Sequence, residues 1–231
     1  MADKLIPVDE MMLGFIQRWE AENDQRAVFL GCYRLMTINM GAALQAGEFN
    51  DPHWVELLLQ HFSDYYFTAL DAYEHQDPQT PSAWRVAFEA AQSPNCSVIQ
   101  NLLLGVNAHI NYDLVLAVVD LLNKEWADLP PEMRQLRQAD YTQVNQVIGQ
   151  TTDAVQDTIL ERRDPRLKIL DTLLGPMDEW MISHLISSWR EEVWEQAVHF
   201  LEAPDEEERE ALRLQREQQV IRLADTILFN D

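Results

Sequence analysis

The segment from Val98 to Leu122 constrains the fold more than any other part of the sequence, because it is the most apolar stretch of the chain. Wound as a helix, it is apolar on most of its circumference, and such a helix is usually surrounded by other helices. His109, Asp113 and Asp120 interrupt it, so it falls short of the ~20 apolar residues that span a bilayer. We therefore predict a central buried helix over about residues 97–126, with Asn95 or Ser97 as its N-cap.

The rest of the chain shows helical periodicity and almost no strand alternation. Only 7 of its 231 residues are Gly, which leaves few tight turns and favours a small number of long elements. Helix starts are marked by signals such as Asn50-Asp51-Pro52, and no Gly/Ser-rich linker divides the chain. These features predict an all-α fold, with residues 1–231 forming a single-domain helical bundle of about eight or nine helices around the central one.

The second half of the chain contains the less regular boundaries. We expect Asp140 to cap a helix that runs from Tyr141 to Arg163. A short helix is predicted to begin at Asp164-Pro165 and to end at Gly175-Pro176. Two long helices follow, Met177 to Glu202 and Asp205 to Phe229.

Charge and targeting signals limit the partners that are expected. The net charge is −22, from 39 acidic and 17 basic residues. Such a surface repels phosphate backbones and anionic bilayers, so we expect no nucleic-acid partner and no membrane insertion. The N-terminus lacks a signal-peptide pattern, and Cys32 and Cys96 form no metal or redox spacing. A cytoplasmic protein is expected, and the sequence leaves its oligomeric state open.

His109 and Asp113 are four residues apart in the central segment, so their side chains can meet on one face of a helix. Three interpretations fit this pair. Asp113 can fix the tautomer of a structural His109, both can bind a divalent metal such as zinc, or Asp113 can orient His109 as a general base. Asn107 and Asn111 fall on the far side, where we expect them to hydrogen-bond loops or neighbouring backbone.

Two other predicted helices, Pro52 to His75 and Met177 to Glu202, carry polar side chains on stripes that otherwise look core-facing. Arg190 lies at the edge of the second stripe and can neutralise Asp113, Glu191 or a ligand anion. If the stripes converge, the bundle encloses a polar pocket for a small molecule. The candidate ligand-binding residues are His61, Tyr65, Asn107, Asn111, Trp180, His184 and Glu191.

Two functions of different classes follow. In the first, the protein is a small-molecule enzyme or ligand-binding protein with a polar pocket around His109 and Asp113. Whether it catalyses a reaction stays open; His109, Asp113 and Arg190 are then the candidate catalytic residues, and metal-assisted hydrolysis is one route. In the second, it is a non-catalytic helical interaction protein whose buried polar residues are structural.

The polar part of the central segment also resembles a family motif. Gly105-x-Asn107-Ala108-His109-Ile110-Asn111-x-Asp113-Leu114 resembles the hallmark of the bacterial domain-of-unknown-function family 5995. Shorter pieces occur in the family's order: Tyr33-x-x-x-Thr37, Gly47-x-Phe49-x-Asp51-Pro52, Tyr66-Phe67-x-Ala69-Leu70, Trp84-x-x-x-Phe88, Asp140-Tyr141-x-x-Val144-Asn145 and Arg190-x-x-x-Trp194. The resemblance covers about residues 28–201. It implies an all-helical fold and brings no known activity.

A more distant likeness concerns a zinc site. The spacing His109-x-x-x-Asp113 is similar to the pair that one helix supplies to zinc in zinc-dependent phospholipase C and the P1-type nucleases. Those enzymes place another His six residues beyond the Asp, where this chain has Val119. Their further His and Glu ligands and their N-terminal Trp have no match here, so the likeness implies a one-metal site at most.

Overall fold

The computed structural model describes residues 5–155 and 177–228, with side chains over 8–151 and 183–228. Within these ranges the chain forms eight helices and no strand, so the predicted all-α bundle is confirmed. The short helix expected over 164–176 lies outside the described residues. The helices are α1 Leu5–Glu22, α2 Arg26–Ala46, α3 Pro52–Glu74, α4 Ser82–Ala91, α5 Val98–Leu122, α6 Pro131–Val155, α7 Met177–Glu202 and α8 Glu206–Leu228.

Helix α5 is the central helix, as predicted, and packs against α2, α3, α4, α7 and α8. Its middle part, Asn107–Asp113, is π-helical and lies between the α-helical segments Val98–Val106 and Leu114–Leu122. All seven π-helical residues are buried. Helical periodicity predicted a continuous α-helix here. Because π-helical turns are rare and occur often at functional sites, this segment is the first place to look for one.

Two predicted helix starts have the expected capping contacts. The side chain of Ser97 caps α5 in a reciprocal capping box with Gln100, which satisfies backbone donors that the first turn leaves free. Asp51 caps α3 and accepts a hydrogen bond from the backbone of Trp54 at 3.0 Å. The end of α5 differs from the prediction, because the helix stops at Leu122, where the chain becomes polar and exposed.

The predicted helix start at Tyr141 is wrong. Helix α6 begins at Pro131, and Asp140 lies inside it, fully buried. The two oxygens of the Asp140 carboxylate accept hydrogen bonds from the backbone N–H groups of Asn50 and Asp51, each at 2.7 Å. Asp140 therefore fixes the loop between α2 and α3 instead of capping a helix.

Two helices, Arg26–Ala46 and Val98–Leu122, are long and apolar enough to cross a membrane by length and composition alone. In the second, 78% of the most apolar window is buried inside the bundle. The core helix of a soluble protein passes the same test, so the observation is a weak indication. In the bundle, α5 contributes to two apolar clusters. The first also contains buried residues of α2, α3, α6 and α7, and the second contains buried residues of α1, α2, α3, α4 and α8.

Helices α2 and α5 approach each other closely at Gly105. A Cβ atom at this position would lie 2.5 Å from Cγ of Phe29, which is well inside van der Waals contact. Phe29 is buried and its ring packs edge-on against the imidazole of His109, with the centroids 5.6 Å apart. The missing side chain at Gly105 therefore lets Phe29 reach His109.

Replacing Gly105 tests this close approach. We expect Gly105→Ala to lower the free energy of unfolding by about 1–3 kcal/mol, because the enclosed Phe29 ring has to move. Gly14→Ala in α1 is the matched control, because nothing lies within 4 Å of its added Cβ. The control should be stabilised by up to about 1 kcal/mol, since Ala favours helices over Gly. Urea denaturation followed by circular dichroism measures both, and equal stabilisation would contradict the contact.

Candidate functional site

The side chains of His109 and Asp113 meet, as their spacing predicts. Nδ1 of His109 lies 3.1 Å from Oδ2 of Asp113, and the two residues are 3% and 1% exposed. Trp84 of α4 holds the carboxyl group from another side, because its Nε1–H lies 3.0 Å and 2.9 Å from the two carboxyl oxygens. Contacts from two helices therefore fix the carboxyl group, which in turn orients the imidazole.

Aromatic rings enclose the imidazole of His109. The ring of Phe62 stacks on it with centroids 3.6 Å apart and an interplanar angle of 9°. The ring of Tyr33 lies at 4.3 Å and that of Phe29 at 5.6 Å. Because these rings cover its faces, the imidazole interacts with polar groups only through its two nitrogens.

Burial shifts the pKa values of both members of the pair. Desolvation lowers the pKa of His109 well below its ordinary 6.5, and it raises the pKa of Asp113 well above its ordinary 3.8. The hydrogen bond from Trp84 opposes the second shift, since it favours the carboxylate. A single charge is unfavourable in such surroundings. The pair with no net charge, in which the two groups share one titratable proton, is therefore favoured.

A cavity of about 150 Å³ adjoins His109. Helices α2, α3, α5, α6 and α7 all contribute to its wall, which is mostly apolar. Nε2 of His109 is buried and has no hydrogen-bond partner. Because Nδ1 is turned to Asp113, Nε2 lies on the opposite edge of the ring. A buried polar atom without a partner is rare in proteins and is commonly explained by a water molecule or a ligand.

Asn107 and Asn111 face α8 instead of the cavity. Asn107 Nδ2 donates to the carbonyl oxygen of Val220 at 2.9 Å, and Asn111 Nδ2 donates to Asn107 Oδ1 at 2.9 Å. Arg216 of α8 donates to the carbonyl oxygen and to Oδ1 of Asn111 at 2.6 Å and 3.1 Å. The expected bond to neighbouring backbone forms at Asn107, whereas the side chain of Asn111 bonds to two other side chains. Neither residue lines the cavity, so the geometry gives the two amides a packing role.

Arg190 lines the cavity, but it does not pair with Asp113 or Glu191. Its Nε donates to Asn145 Oδ1 at 2.8 Å, and one terminal nitrogen donates to the carbonyl oxygen of Tyr141 at 2.7 Å. Helix α6 therefore supplies the hydrogen-bond acceptors for Arg190, whereas we had expected Asp113 or Glu191 to pair with it. Burial lowers the pKa of Arg190 from its ordinary value, although a guanidinium keeps its proton in proteins.

On α3, the face that lines the cavity differs from the predicted one. It is rotated by one residue from the face that carries His61 and Tyr65. Phe62 stacks on His109, while His61 is half-buried and lies outside the cavity wall. The hydroxyl group of Tyr65 donates to Asp120 at 2.6 Å. Burying Phe62 removes a large apolar surface from water without leaving a polar atom unpaired. The apolar face of α3 therefore turns inward.

Helix α7 also differs from the predicted stripe. His184 and Glu191 are exposed, and the side chain of Trp180 lies outside the described residues. Ile186 and Arg190 are the residues that α7 contributes to the described cavity wall. Of the predicted stripe residues on α3 and α7 whose side chains are described, His61, Tyr65, His184 and Glu191 all lie outside the cavity wall. The cavity that forms is apolar and has a few separate polar groups.

The geometry gives the predicted zinc site no support. In the part of the chain that the structure describes, no three His, Cys, Asp or Glu side chains lie close enough together to hold a metal ion. Both oxygens of Asp113 are within hydrogen-bond distance of Trp84, and one also contacts His109. What the pair provides is an oriented imidazole with one nitrogen available.

Trp84 and Phe62 are parts of this site that our sequence reasoning did not assign. Helical spacing relates residues on one helix, whereas Trp84 and Asp113 lie on different helices, 29 positions apart. The piece Trp84-x-x-x-Phe88 of the family resemblance was the available signal for Trp84. Nothing in the sequence indicated that Phe62 belongs to the site, apart from its apolar side chain and its position next to His61.

The hydrogen bond from Trp84 can be tested by Trp84→Phe. We expect this change to destabilise the protein by about 1–3 kcal/mol more than Trp126→Phe, because it leaves a buried carboxyl group without a donor. Trp126 is a matched control, since it is also buried and its Nε1 has no partner. Urea denaturation compares the two variants. Equal losses of stability would show that the Trp84 contact contributes little.

The opposite pKa shifts predict opposite pH slopes in two single variants. His109→Gln leaves a carboxyl group that holds its proton more tightly in the native state, so its free energy of unfolding falls as the pH rises above about 4. Asp113→Asn leaves an imidazole that holds its proton less tightly when folded. Its free energy of unfolding falls as the pH drops below about 6.5.

In the wild-type protein the two contributions oppose each other between about pH 4 and pH 6.5. Urea titrations across this range, each referred to the double variant His109→Gln/Asp113→Asn, isolate the slopes from the other titrating groups. Each slope is expected to approach about 1.4 kcal/mol per pH unit. Slopes of the same sign in the two single variants would contradict the neutral pair.

Comparison with known proteins agrees with the motif. The model of a family of unknown function, DUF5995, matches residues 7–229 of the chain. No curated protein and no solved structure matches it, so the likeness to zinc-dependent phospholipase C receives no support. The match covers almost the entire length, and this chain belongs to the DUF5995 family of unknown function.

Proposed function

We propose that the protein binds an apolar small molecule in the cavity and that Nε2 of His109 makes a hydrogen bond to it. The observation that carries the proposal is the buried, unpartnered Nε2 in the wall of an apolar cavity. Leaving a buried polar atom unpaired costs about 1–3 kcal/mol. A ligand that places a polar group against His109 recovers this free energy, whereas a purely structural role leaves it lost.

The size of the cavity limits the ligand. A volume of about 150 Å³ is available, and an apolar cavity of roughly that size holds a benzene-sized molecule. The wall offers side chains such as Met36, Met40, Leu58 and Val144 for apolar contact. Transfer of apolar surface from water therefore supplies most of the affinity, and the hydrogen bond to His109 orients the ligand.

The protonation of the pair indicates what the ligand offers. When the pair has no net charge, the shared proton lies between the Asp113 carboxyl group and Nδ1, or on one of them. In either arrangement Nε2 carries the remaining hydrogen of the ring and donates. The matching ligand group is an acceptor, such as a carbonyl or ether oxygen.

A catalytic role is the second candidate, and the contact between Nδ1 and Asp113 favours it. A carboxyl group that holds one nitrogen of an imidazole leaves the other oriented for proton transfer, which is how general acid–base catalysis uses such pairs. Here His109 would exchange a proton with a ligand bound in the same cavity. Both candidates require binding, so binding is the property to test first.

Two ligands of nearly the same shape isolate the hydrogen bond: acetophenone, which has a C=O group, and α-methylstyrene, which has C=CH₂ in its place. We expect both to bind the wild-type protein in isothermal titration calorimetry. His109→Phe keeps a ring against Phe62 and removes Nε2. It should weaken acetophenone by about tenfold, as expected for one hydrogen bond of about 1.4 kcal/mol, and change α-methylstyrene little.

A second pair of variants tests the location of the ligand. Val144→Phe fills the cavity and should abolish binding of both compounds. Val119→Phe is the control, because Val119 packs against the same core and does not line the cavity. In the wild-type protein, acetophenone should also shift the nitrogen resonance of His109 Nε2 in NMR spectra. Absence of binding by either compound would overturn the proposal and leave the pair a structural role.

A further inference from the structure

We propose that the cavity takes a small monocarboxylate, with the ligand carboxylate on Arg190 and its apolar part along the cavity. The proposal rests on ligand binding in this cavity, as proposed above, and adds a second polar contact. The acceptor that meets Nε2 of His109 and the carboxylate that meets Arg190 are separate groups of the ligand, so a simple fatty acid tests the Arg190 contact alone. Arg190 lies in the cavity wall and is only 3% exposed. A buried cation in the wall of an otherwise apolar cavity matches an anionic group of a ligand.

The guanidinium of Arg190 has uncharged partners in the described part of the chain. Its Nε donates to the amide oxygen of Asn145, and one terminal nitrogen donates to the backbone of Tyr141. The group also lies over the ring of Tyr141, 4.3 Å from the centroid. These contacts hold the guanidinium in place, and they use two of its five N–H donors. They do not neutralise its charge.

Two other buried arginines show the contrast. Arg216 is also 3% exposed and pairs with Glu192 at 2.7 Å. Arg137 is 8% exposed and pairs with Asp51. Arg190 forms no such ion pair with a described residue. A buried charge without a counter-charge is strongly unfavourable, so this position is where a bound carboxylate would gain most.

Arg190 and His109 reach the cavity from different helices. His109 of α5 contacts Tyr33 of α2, whereas Arg190 of α7 is bonded to Asn145 of α6. Both line the cavity, and Asp113 does not. A ligand carboxylate bonded to Arg190 therefore occupies a different part of the wall from the acceptor that meets His109.

The dimensions favour a narrow ligand. On α2 the cavity wall runs from Phe29 to Met40, which is ~16 Å at ~1.5 Å per residue. A volume of about 150 Å³ spread over such a length leaves a thin channel. An unbranched alkyl chain is the narrowest apolar group that such a channel can take, and its length is limited by a volume that matches a benzene-binding cavity.

Asp140 and Trp54 also line the cavity. Both carboxyl oxygens of Asp140 accept hydrogen bonds from the backbone of Asn50 and Asp51, so this group is directed to that loop. Trp54 is 3% exposed and its Nε1 has no partner. The wall therefore offers a cation and an additional unpaired donor, and both suit a carboxylate more than a neutral group.

Three ligands separate charge from size: octanoate, octan-1-ol and methyl octanoate. In isothermal titration calorimetry of the wild-type protein, we expect octanoate to bind at least about tenfold more tightly than either neutral analogue, since a charged hydrogen bond exceeds a neutral one. Arg190→Met should weaken octanoate by about 100-fold and leave octan-1-ol within about threefold. Arg216→Met is the control, because it removes a buried arginine outside the cavity wall.

The outcomes distinguish this inference from the proposed function. If the neutral analogues bind as tightly as octanoate, or if Arg190→Met weakens all three ligands equally, the carboxylate assignment is overturned while binding of acetophenone still stands. If neither octanoate nor acetophenone binds, both proposals fail together. The wild-type comparison decides the matter even if Arg190→Met does not fold.

Discussion

The carboxyl group of Asp113 is the constraint on which the centre of this protein depends. It is buried in the middle of the most apolar helix, where an unpaired carboxyl group would strongly oppose folding. Trp84 brings α4 to it, and His109 satisfies it from within α5. The imidazole in turn collects the aromatic rings of α2 and α3. One buried group thus fixes how three helices meet α5, and the close approach at Gly105 completes the arrangement.

The π-helical segment carries two polar pairs with the same spacing and different consequences. Asn107 and Asn111 bond to each other and to α8, and every contact of that pair serves the packing of two helices. His109 and Asp113 bond to each other in the same way, yet Nε2 remains unpaired. A pair selected for packing alone would not require the open nitrogen. This difference between two pairs on one helix is why the proposed function places the ligand contact at His109 and not at the two asparagines.

The elements predictable from the sequence are those that local rules govern. The apolar run Val98–Leu122 identified the central helix, Ser97 and Asp51 identified helix starts, and the four-residue spacing identified the His109–Asp113 contact. Each of these depends on residues within about one helical turn of each other. The same local rule led to the wrong prediction that Asp140 caps a helix, because the hydrogen-bond partners of Asp140 lie on a loop distant in sequence.

Contacts between helices were not predictable, because they depend on how each helix is rotated about its own axis. One residue corresponds to about 100° of rotation, so an error of a single position exchanges His61 for Phe62 as the neighbour of His109. The polar stripes did not indicate this rotation correctly. A large apolar side chain is buried at little free-energy cost, whereas a charged side chain needs a partner, so the apolar face of a helix is the one that turns inward. The buried carboxyl groups of Asp113 and Asp140 both have hydrogen-bond partners on other elements.

Two features of the cavity have a consequence for stability. Nε2 of His109, which has no hydrogen-bond partner, and the charge of Arg190, which no described residue neutralises, both lower the stability of the ligand-free bundle. A ligand that satisfies both binds the folded state alone, and so raises the free energy of unfolding in proportion to the logarithm of its concentration over its dissociation constant. A ligand that lacks either group leaves part of the deficit in place. In the proposed function, selectivity thus arises from the polar atoms that the fold leaves unsatisfied, while the apolar wall contributes affinity to any molecule of suitable shape.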